Sequence, residues 1–145
     1  MIGVIVTGHG NIATGIQSGM NLVFGNIENF STIDFTEEIT PEELENKIEE
    51  KIEELDKGKG VLILTDIAGG TPFKTASLLS MKKNNVKVIS GVNFPMLLEI
   101  ICERENFELD SLYLHALEEG KKEIKGFEFK KKQEIPEEDD SGDGI

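Results

Sequence analysis

The sequence predicts an α/β fold, a doubly wound and mainly parallel sheet with helices on both faces. Predicted strands and helices alternate along the chain at short spacing, which is the pattern of parallel strands joined by helical crossovers. Two of the strands, residues 2–6 and 61–66, are almost entirely apolar, as strands buried on both faces are. We expect these two strands to be central neighbours. The chain then winds in opposite directions from them, and ligands are expected in the crevice at their carboxyl ends.

The first helix is predicted over residues 11–25, directly after strand 2–6. Asn11 is its expected N-cap, and Gly25 is its expected stop. The apolar side chains at helical spacing are Ile12, Ile16, Met20 and Val23.

Residues 29–35 alternate apolar and polar side chains, which is typical of a strand near a sheet edge. The helix after them has the clearest start signal in the chain. Thr40 is its predicted N-cap, Pro41 its first residue, and Glu43 completes a capping box. The glycines of "KGKG", residues 57–60, are predicted to end it.

Strand 61–66 leaves through the loop "IAGGTPF". Thr71 is the predicted N-cap of a helix that runs to about Lys83, followed by a strand over residues 86–90 and a helix that begins at Pro95.

The C-terminal part of the chain is predicted to hold one more helix, at about residues 110–125. Residues 127–135 alternate and are rich in lysine, as an antiparallel edge strand would be. We therefore expect one domain over residues 1–135 and an acidic, disordered tail over residues 136–145.

Composition limits the classes of function. The formal net charge is −13 over 145 residues, which disfavours nucleic acid and anionic membrane surfaces as partners. The single cysteine, Cys102, lies in an apolar stretch and is predicted to be a buried core residue. With no disulfide framework, no secretory leader and no apolar run of membrane-spanning length, we expect a cytoplasmic protein.

His9, between two glycines at the end of the first strand, is the main candidate for chemistry. A loop residue without a role is the simplest interpretation, although its place at the functional edge of the fold argues against it. A dinucleotide site is a second interpretation, because residues 8–13 match G-x-G-x-x-A and Asp34 follows at the next strand. A single nucleotide-binding half makes it the weaker one.

A metal site formed by His9, Asp66 and His115 is a third interpretation, but no close ligand spacing supports it. We expect no metal and no cofactor, and expect His115 at the surface or in an interface. The fourth interpretation is a nucleophilic histidine. Asp66 would accept a proton from one ring nitrogen of His9 and leave the other free to attack a phosphoryl group.

A phosphoryl group on His9 would need donors around it. Arg104, the only arginine, is predicted at the far end of a helix, so backbone N–H groups at two helix starts are the expected source. The predicted phosphate-binding residues are Gly10, Asn11, Gly69, Gly70 and Thr71.

Three blocks, "IVTGHG", "GVLILTDIAGGTPF" and "VISGVNFPMLLE", together resemble the IIA component of the mannose-family (mannose, fructose and sorbose) phosphoenolpyruvate-dependent sugar phosphotransferase system. The likeness runs from residue 1 to about residue 130. The resemblance implies that His9 accepts a phosphoryl group from the carrier protein HPr and passes it to the IIB component, with Asp66 orienting His9.

The resemblance also implies a homodimer in which a C-terminal strand, here 127–135, pairs with the partner's sheet. In some relatives a IIB domain follows a linker, but here an acidic tail follows instead, so we expect IIB to be a separate protein. The resemblance also implies that the membrane complex of IIC and IID is reached only indirectly. A phosphotransfer subunit that serves dihydroxyacetone kinase shares the fold and the N-terminal histidine, and remains an alternative. The blocks "GGTPF" and "GVNFPML" favour the sugar system. The sequence does not identify the sugar.

Overall fold

A computed structural model describes residues 1–130 of the chain. Strands and helices alternate through its first two thirds, and two consecutive helices close it. The strands are β1 (Gly3–His9), β2 (Phe30–Phe35), β3 (Val61–Thr65) and β4 (Val86–Ser90). The helices are α1 (Ile12–Phe24), α2 (Pro41–Leu55), α3 (Thr71–Lys82), α4 (Phe94–Glu103) and α5 (Leu109–Lys122), with a 3₁₀ turn (Arg104–Asn106) between the last two.

The four strands form one parallel sheet in the order β2-β1-β3-β4. The prediction that β1 and β3 are central neighbours is therefore confirmed, as is the doubly wound parallel fold. Thr7 is paired with Thr65 near the carboxyl ends of β1 and β3. The residues that follow this pair, among them His9 and Asp66, emerge side by side where the winding reverses.

Alternating side chains of the central strands build a separate core on each face of the sheet. Val4, Val6, Leu62 and Leu64 face α1, α4 and α5. Ile5 and Ile63 face α2 and α3. All six side chains are fully buried, so the two central strands are held rigidly from both sides. This rigidity fixes where their carboxyl ends lie.

Helix α2 begins as predicted. The Thr40 hydroxyl accepts a hydrogen bond from the Glu43 N–H at 3.1 Å, and the Glu43 carboxylate accepts one from the Thr40 N–H at 2.9 Å. Pro41 occupies the first helical position. The predicted apolar stripe on this helix is buried, and its members are Leu44, Ile48, Ile52 and Leu55.

Several local predictions need correction. β1 extends to His9 rather than ending at residue 6, because pairing with β2 continues along it as far as Phe35. The N-cap of α3 is Gly70, and Thr71 is the first helical residue. Cys102 is exposed rather than buried, because α4 turns that face away from the core.

Helix α1 also differs in detail from its predicted stripe. Gly25 ends it as expected, with a positive φ of +74° that favours glycine. Its fully buried positions are Ala13 and Met20, whereas Ile12 and Val23 are each about two-fifths exposed. The small Ala13 side chain lets the first turn lie close to the sheet, which the spacing of large residues did not indicate.

Arg104 is almost completely buried at the amino edge of the sheet, opposite His9. Its guanidinium donates to the carbonyl of Ile2 at 3.1 Å, to that of Asn29 at 2.9 Å and to that of Glu28. The only arginine therefore ties together the starts of β1 and β2. Its guanidinium is thus engaged at the edge of the sheet opposite His9.

The predicted C-terminal strand is not seen in the described chain. Residues 127–130 have no regular secondary structure, and Phe127 and Phe129 are largely exposed. The remainder of that predicted strand, 131–135, and the predicted tail, 136–145, lie outside the described residues.

Candidate functional site

His9 and Asp66 meet at the carboxyl ends of the two central strands. The Asp66 carboxylate oxygen Oδ2 lies 2.7 Å from Nδ1 of the His9 ring and also accepts the backbone N–H of His9 at 2.9 Å. The other carboxylate oxygen, Oδ1, accepts the Ile67 N–H at 2.9 Å. The Asp66 side chain is only 10% exposed, whereas that of His9 is 44% exposed. The Asp66 carboxylate is thus held inside the protein, while the His9 ring is accessible from solvent.

Gly8 makes this contact possible. A Cβ at residue 8 would lie 3.0 Å from Cγ of Asp66 and 3.2 Å from its Oδ2, which is closer than ordinary packing allows. Only glycine at this position lets the Asp66 carboxylate lie against β1 and contact both the backbone nitrogen and the ring nitrogen Nδ1 of His9. The missing side chain at Gly8 therefore leaves room for the Asp66 carboxylate.

The charge of Asp66 decides which ring nitrogen of His9 carries a proton. Burial raises the pKa of this carboxyl, but hydrogen bonds from the His9 backbone, the His9 ring and the Ile67 N–H outweigh burial and hold the pKa below its usual value. An ionised carboxylate only accepts hydrogen bonds. Nδ1 of His9 is therefore the donor, and in the neutral imidazole the lone pair resides on Nε2.

Helix α3 begins next to the free edge of the His9 ring. A Cβ at Gly70 would lie 2.7 Å from Cε1 and 3.4 Å from Nε2 of His9, so the N-cap backbone of α3 passes against that edge. Gly69 precedes it in a left-handed conformation, with φ of +83°, and Thr71 opens the helix. The structure thus brings one predicted phosphate-binding residue, Gly70, against the Nε2 edge of the ring at the positive end of a helix, with Gly69 and Thr71 as its chain neighbours.

Phe35 covers another side of the ring. The rings of His9 and Phe35 are 5.9 Å apart and nearly perpendicular, an edge-to-face contact. Both residues line an open depression of about 580 Å³, together with Gly10, Asn11 and residues 36–39. Sequence reasoning missed Phe35, although parallel pairing of β2 with β1 places it directly opposite His9.

The start of α1 is less free than predicted. The Gly10 N–H already donates to the Phe35 carbonyl at 2.8 Å. Asp34 caps the first turn by accepting the Thr14 N–H at 3.0 Å and the Thr14 hydroxyl at 2.6 Å. The Asn11 side chain makes no cap hydrogen bond and lines the depression beside His9.

Asp34 also bears on the dinucleotide interpretation. Its carboxylate would have to hold a ribose, yet both of its oxygens are bound to Thr14. A pyrophosphate at the start of α1 would lie beside this negative charge. The geometry therefore disfavours a dinucleotide here.

The predicted metal candidates do not come together. His115 lies on α5, where its Nε2 is 2.7 Å from a carboxylate oxygen of Glu99 on α4. Among residues 1–130, the one group of three potential ligands is Glu99, His115 and Glu119, away from His9 and Asp66.

A parallel doubly wound sheet with a histidine–aspartate pair at its switch point defines a class of small α/β domains. Within that class the family is identified by residues 3–117, which match the model of the PTS system fructose IIA component. The chain belongs to this family, the EIIA components of the sugar phosphotransferase system.

Individual relatives agree with this assignment. The PTS system sorbose-specific EIIA component of Lacticaseibacillus casei is 32% identical over 114 residues, which cover 79% of this chain and 82% of the relative. The mannose-specific EIIAB component of Escherichia coli K12 is 35% identical over 130 residues, or 89% of this chain. The match spans only 40% of that longer protein.

A solved structure matches the whole architecture. The phosphotransferase system component EIIA from Streptococcus agalactiae superimposes with a TM-score of 0.81 at 31% identity, covering 87% of this chain and 97% of that one. None of the helices in residues 1–130 combines the length and apolar character needed to cross a bilayer.

Proposed function

We propose that this chain is a phosphocarrier of a sugar phosphotransferase system, and that His9 is the residue that carries the phosphoryl group. The donor is HPr, and the acceptor is the IIB component. The observation that carries the proposal is the His9–Asp66 pair, in which one nitrogen of an accessible ring is bound to a buried carboxylate. Membership of the EIIA family supports the same conclusion.

The attacking atom is Nε2 of His9. Its lone pair forms the new P–N bond as the P–N bond of the donor's phosphohistidine breaks, and the donor imidazole leaves with that electron pair. The proton on Nδ1 stays in its hydrogen bond to Asp66. Phosphorylated His9 acquires positive charge on the ring, which the adjacent carboxylate stabilises. Transfer to IIB reverses these steps on a new acceptor nitrogen or sulfur.

The N-terminus of α3 stabilises the transferring phosphoryl group. Gly70 is already in contact with the Nε2 edge of His9, and Gly69 and Thr71 flank it. Because Pro72 lacks an N–H, the donors of this turn are concentrated in the residues before and after it. Asn11 lines the depression beside His9, and its side-chain amide is a further possible donor. Rate enhancement comes from positioning and fixed dipoles.

Glu37 and Glu38 form an acidic rim on the depression beside His9. Together with the net charge of −13, this rim favours partners that present a basic face. We place the docking sites of HPr and IIB around this depression.

The homodimer is a separate proposal. Edge strand β4 pairs with β3 on one side only, and Phe127 and Phe129 are exposed in the described chain. Pairing of segment 127–135 with the partner's sheet would cover both the open edge of β4 and the two phenylalanine side chains. Replacing the two phenylalanines by serine should convert a dimer into a monomer, as measured by light scattering. A dimer of unchanged stability in that variant would contradict the exchange.

The central experiment uses phosphoenolpyruvate, enzyme I and HPr as the phosphoryl source. We expect acid-labile phosphate on the wild-type chain and on His115→Ala, and none on His9→Ala. The chain has only two histidines, so this pair of variants assigns the site completely. An unlabelled wild-type chain beside a labelled reference EIIA, or label retained in His9→Ala, would overturn the proposal.

A further inference from the structure

A second cluster of potential ligands lies between α4 and α5. It consists of Glu99 on α4 and of His115 and Glu119 on α5, and one ligand atom from each residue lies within 4.8 Å of the other two. Nε2 of His115 is 2.7 Å from Oε2 of Glu99. His115 and Glu119 are four residues apart on one helix, so they present their side chains on the same face.

The cluster is partly shielded from water and its imidazole is held in place. The side chains of Glu99, His115 and Glu119 are 34%, 27% and 20% exposed. The ring of Phe107 stacks on that of His115 with centroids 4.7 Å apart and planes 21° apart. This stacking fixes the plane of the imidazole while Nε2 faces the carboxylates. The donors therefore converge before any ion arrives.

We propose that Glu99, His115 and Glu119 form a Zn²⁺ site. One imidazole nitrogen with two carboxylates suits zinc, because imidazole is a poor ligand for magnesium and calcium, which require oxygen donors. Three protein ligands leave the fourth tetrahedral position to water. An N–H at Nε2 of His115 can make a strong hydrogen bond to only one carboxylate. A divalent ion, in contrast, can bind the carboxylates of both Glu99 and Glu119.

Lys122 is a cation that competes for the cluster, through Glu119. Its Nζ donates to the Glu119 carboxylate at 3.2 Å. This lysine side chain is 65% exposed. An exposed pair of this kind is held weakly, so the lysine can turn into solvent when the ion binds.

Binding would tie α4 to α5 across their packed faces. The three ligands converge only when the two helices are docked, so the ion binds the folded chain in preference to the unfolded one. Zinc should therefore raise the melting temperature. This role is independent of phosphoryl transfer at His9.

The test is a Zn²⁺ titration followed by calorimetry and by the imidazole NMR signals, performed in a His9→Ala, Cys102→Ser background. In that background His115 is the only histidine and no thiol remains to bind zinc. We expect one equivalent of Zn²⁺, a shift of the His115 signals during the titration, and a higher melting temperature. Adding His115→Ala or Glu119→Gln should weaken binding by about ten-fold or more, since even residues behind the ligands contribute that much.

Three results would overturn the site. They are unchanged affinity in the His115→Ala variant, a wild-type chain in which binding depends on His9 instead, and weak binding without a defined stoichiometry. If His115→Ala unfolds, the His115 signals of the background chain still decide the question. Failure of phosphorylation at His9 would leave this result unaffected, so the two proposals are tested separately.

Discussion

Asp66 binds His9 twice through a single oxygen. Oδ2 accepts both the backbone N–H, at 2.9 Å, and the ring at Nδ1, at 2.7 Å. The first bond fixes the end of β1 against β3, and the second fixes the ring relative to that backbone. The histidine side chain is thereby positioned although nearly half of it is exposed.

Removing the carboxylate should therefore slow phosphorylation much more than it disturbs folding. We expect Asp66→Ala to lower the rate of phosphoryl transfer from phosphorylated HPr by about 10²–10⁴-fold, as loss of the orienting carboxylate does in catalytic triads. The control is Asp34→Ala, which removes a carboxylate from the end of the neighbouring strand. It should keep the rate within a few-fold. Equal rates for the two variants would remove the orienting role from Asp66.

Gly8→Ala should impair the same step although His9 and Asp66 themselves are left unchanged. The new Cβ would lie 3.0 Å from Cγ of Asp66 and would push the carboxylate away from His9. We expect the transfer rate to fall by about ten-fold and the ¹⁵N shifts of the His9 ring to change. Gly15→Ala is the matched control, because nothing lies within 4 Å of its Cβ in helix α1. A rate in Gly8→Ala equal to that of Gly15→Ala would contradict this account.

Gly70→Ala tests the other side of the ring. The backbone at Gly70 is extended, with φ of −79° and ψ of 168°, so alanine adds no backbone strain. Its Cβ would lie 2.7 Å from Cε1 of His9, and the ring or the start of α3 must move. We expect transfer to slow by about ten- to a hundred-fold, while the melting temperature stays close to that of the wild type. Unchanged transfer kinetics would show that the start of α3 does not act on Nε2.

The sequence predicted the sheet and the His9–Asp66 proximity because both follow from pattern. Continuous apolar runs identified the two central strands, and a parallel sheet places their ends together. The roles of Gly8 and Phe35 were missed because they depend on distances of about 3–6 Å across the site, which spacing along the chain does not encode. Cys102 was wrongly placed in the core, since its apolar neighbours gave no indication of which face of α4 is buried.

Arg104 should matter for stability and not for transfer. Replacing it by methionine would leave the backbone carbonyls of Ile2, Glu28 and Asn29, of which that of Ile2 is buried, without their charged donor. We expect a loss of about 2–4 kcal/mol in the free energy of unfolding, measured by urea denaturation. Cys102→Ser, an exposed change nearby in the chain, should stay within about 0.5 kcal/mol of wild type. A folded Arg104→Met fraction that transferred phosphate slowly would indicate that this arginine also affects the site.

The lowered pKa of Asp66 makes part of the stability of the fold dependent on pH. Burial opposes the lowering, but the hydrogen bonds from His9 and Ile67 outweigh it. A carboxyl whose pKa is lower in the folded state stabilises that state above the unfolded pKa, which is about 4 for aspartate. The contribution is lost as the pH falls through that value towards the folded pKa. Urea denaturation of the wild type and of Asp66→Asn should therefore differ most near neutral pH, and the difference should shrink steadily as the pH falls below about 4. A difference that stayed constant over this range would show that the carboxylate charge does not stabilise the pair.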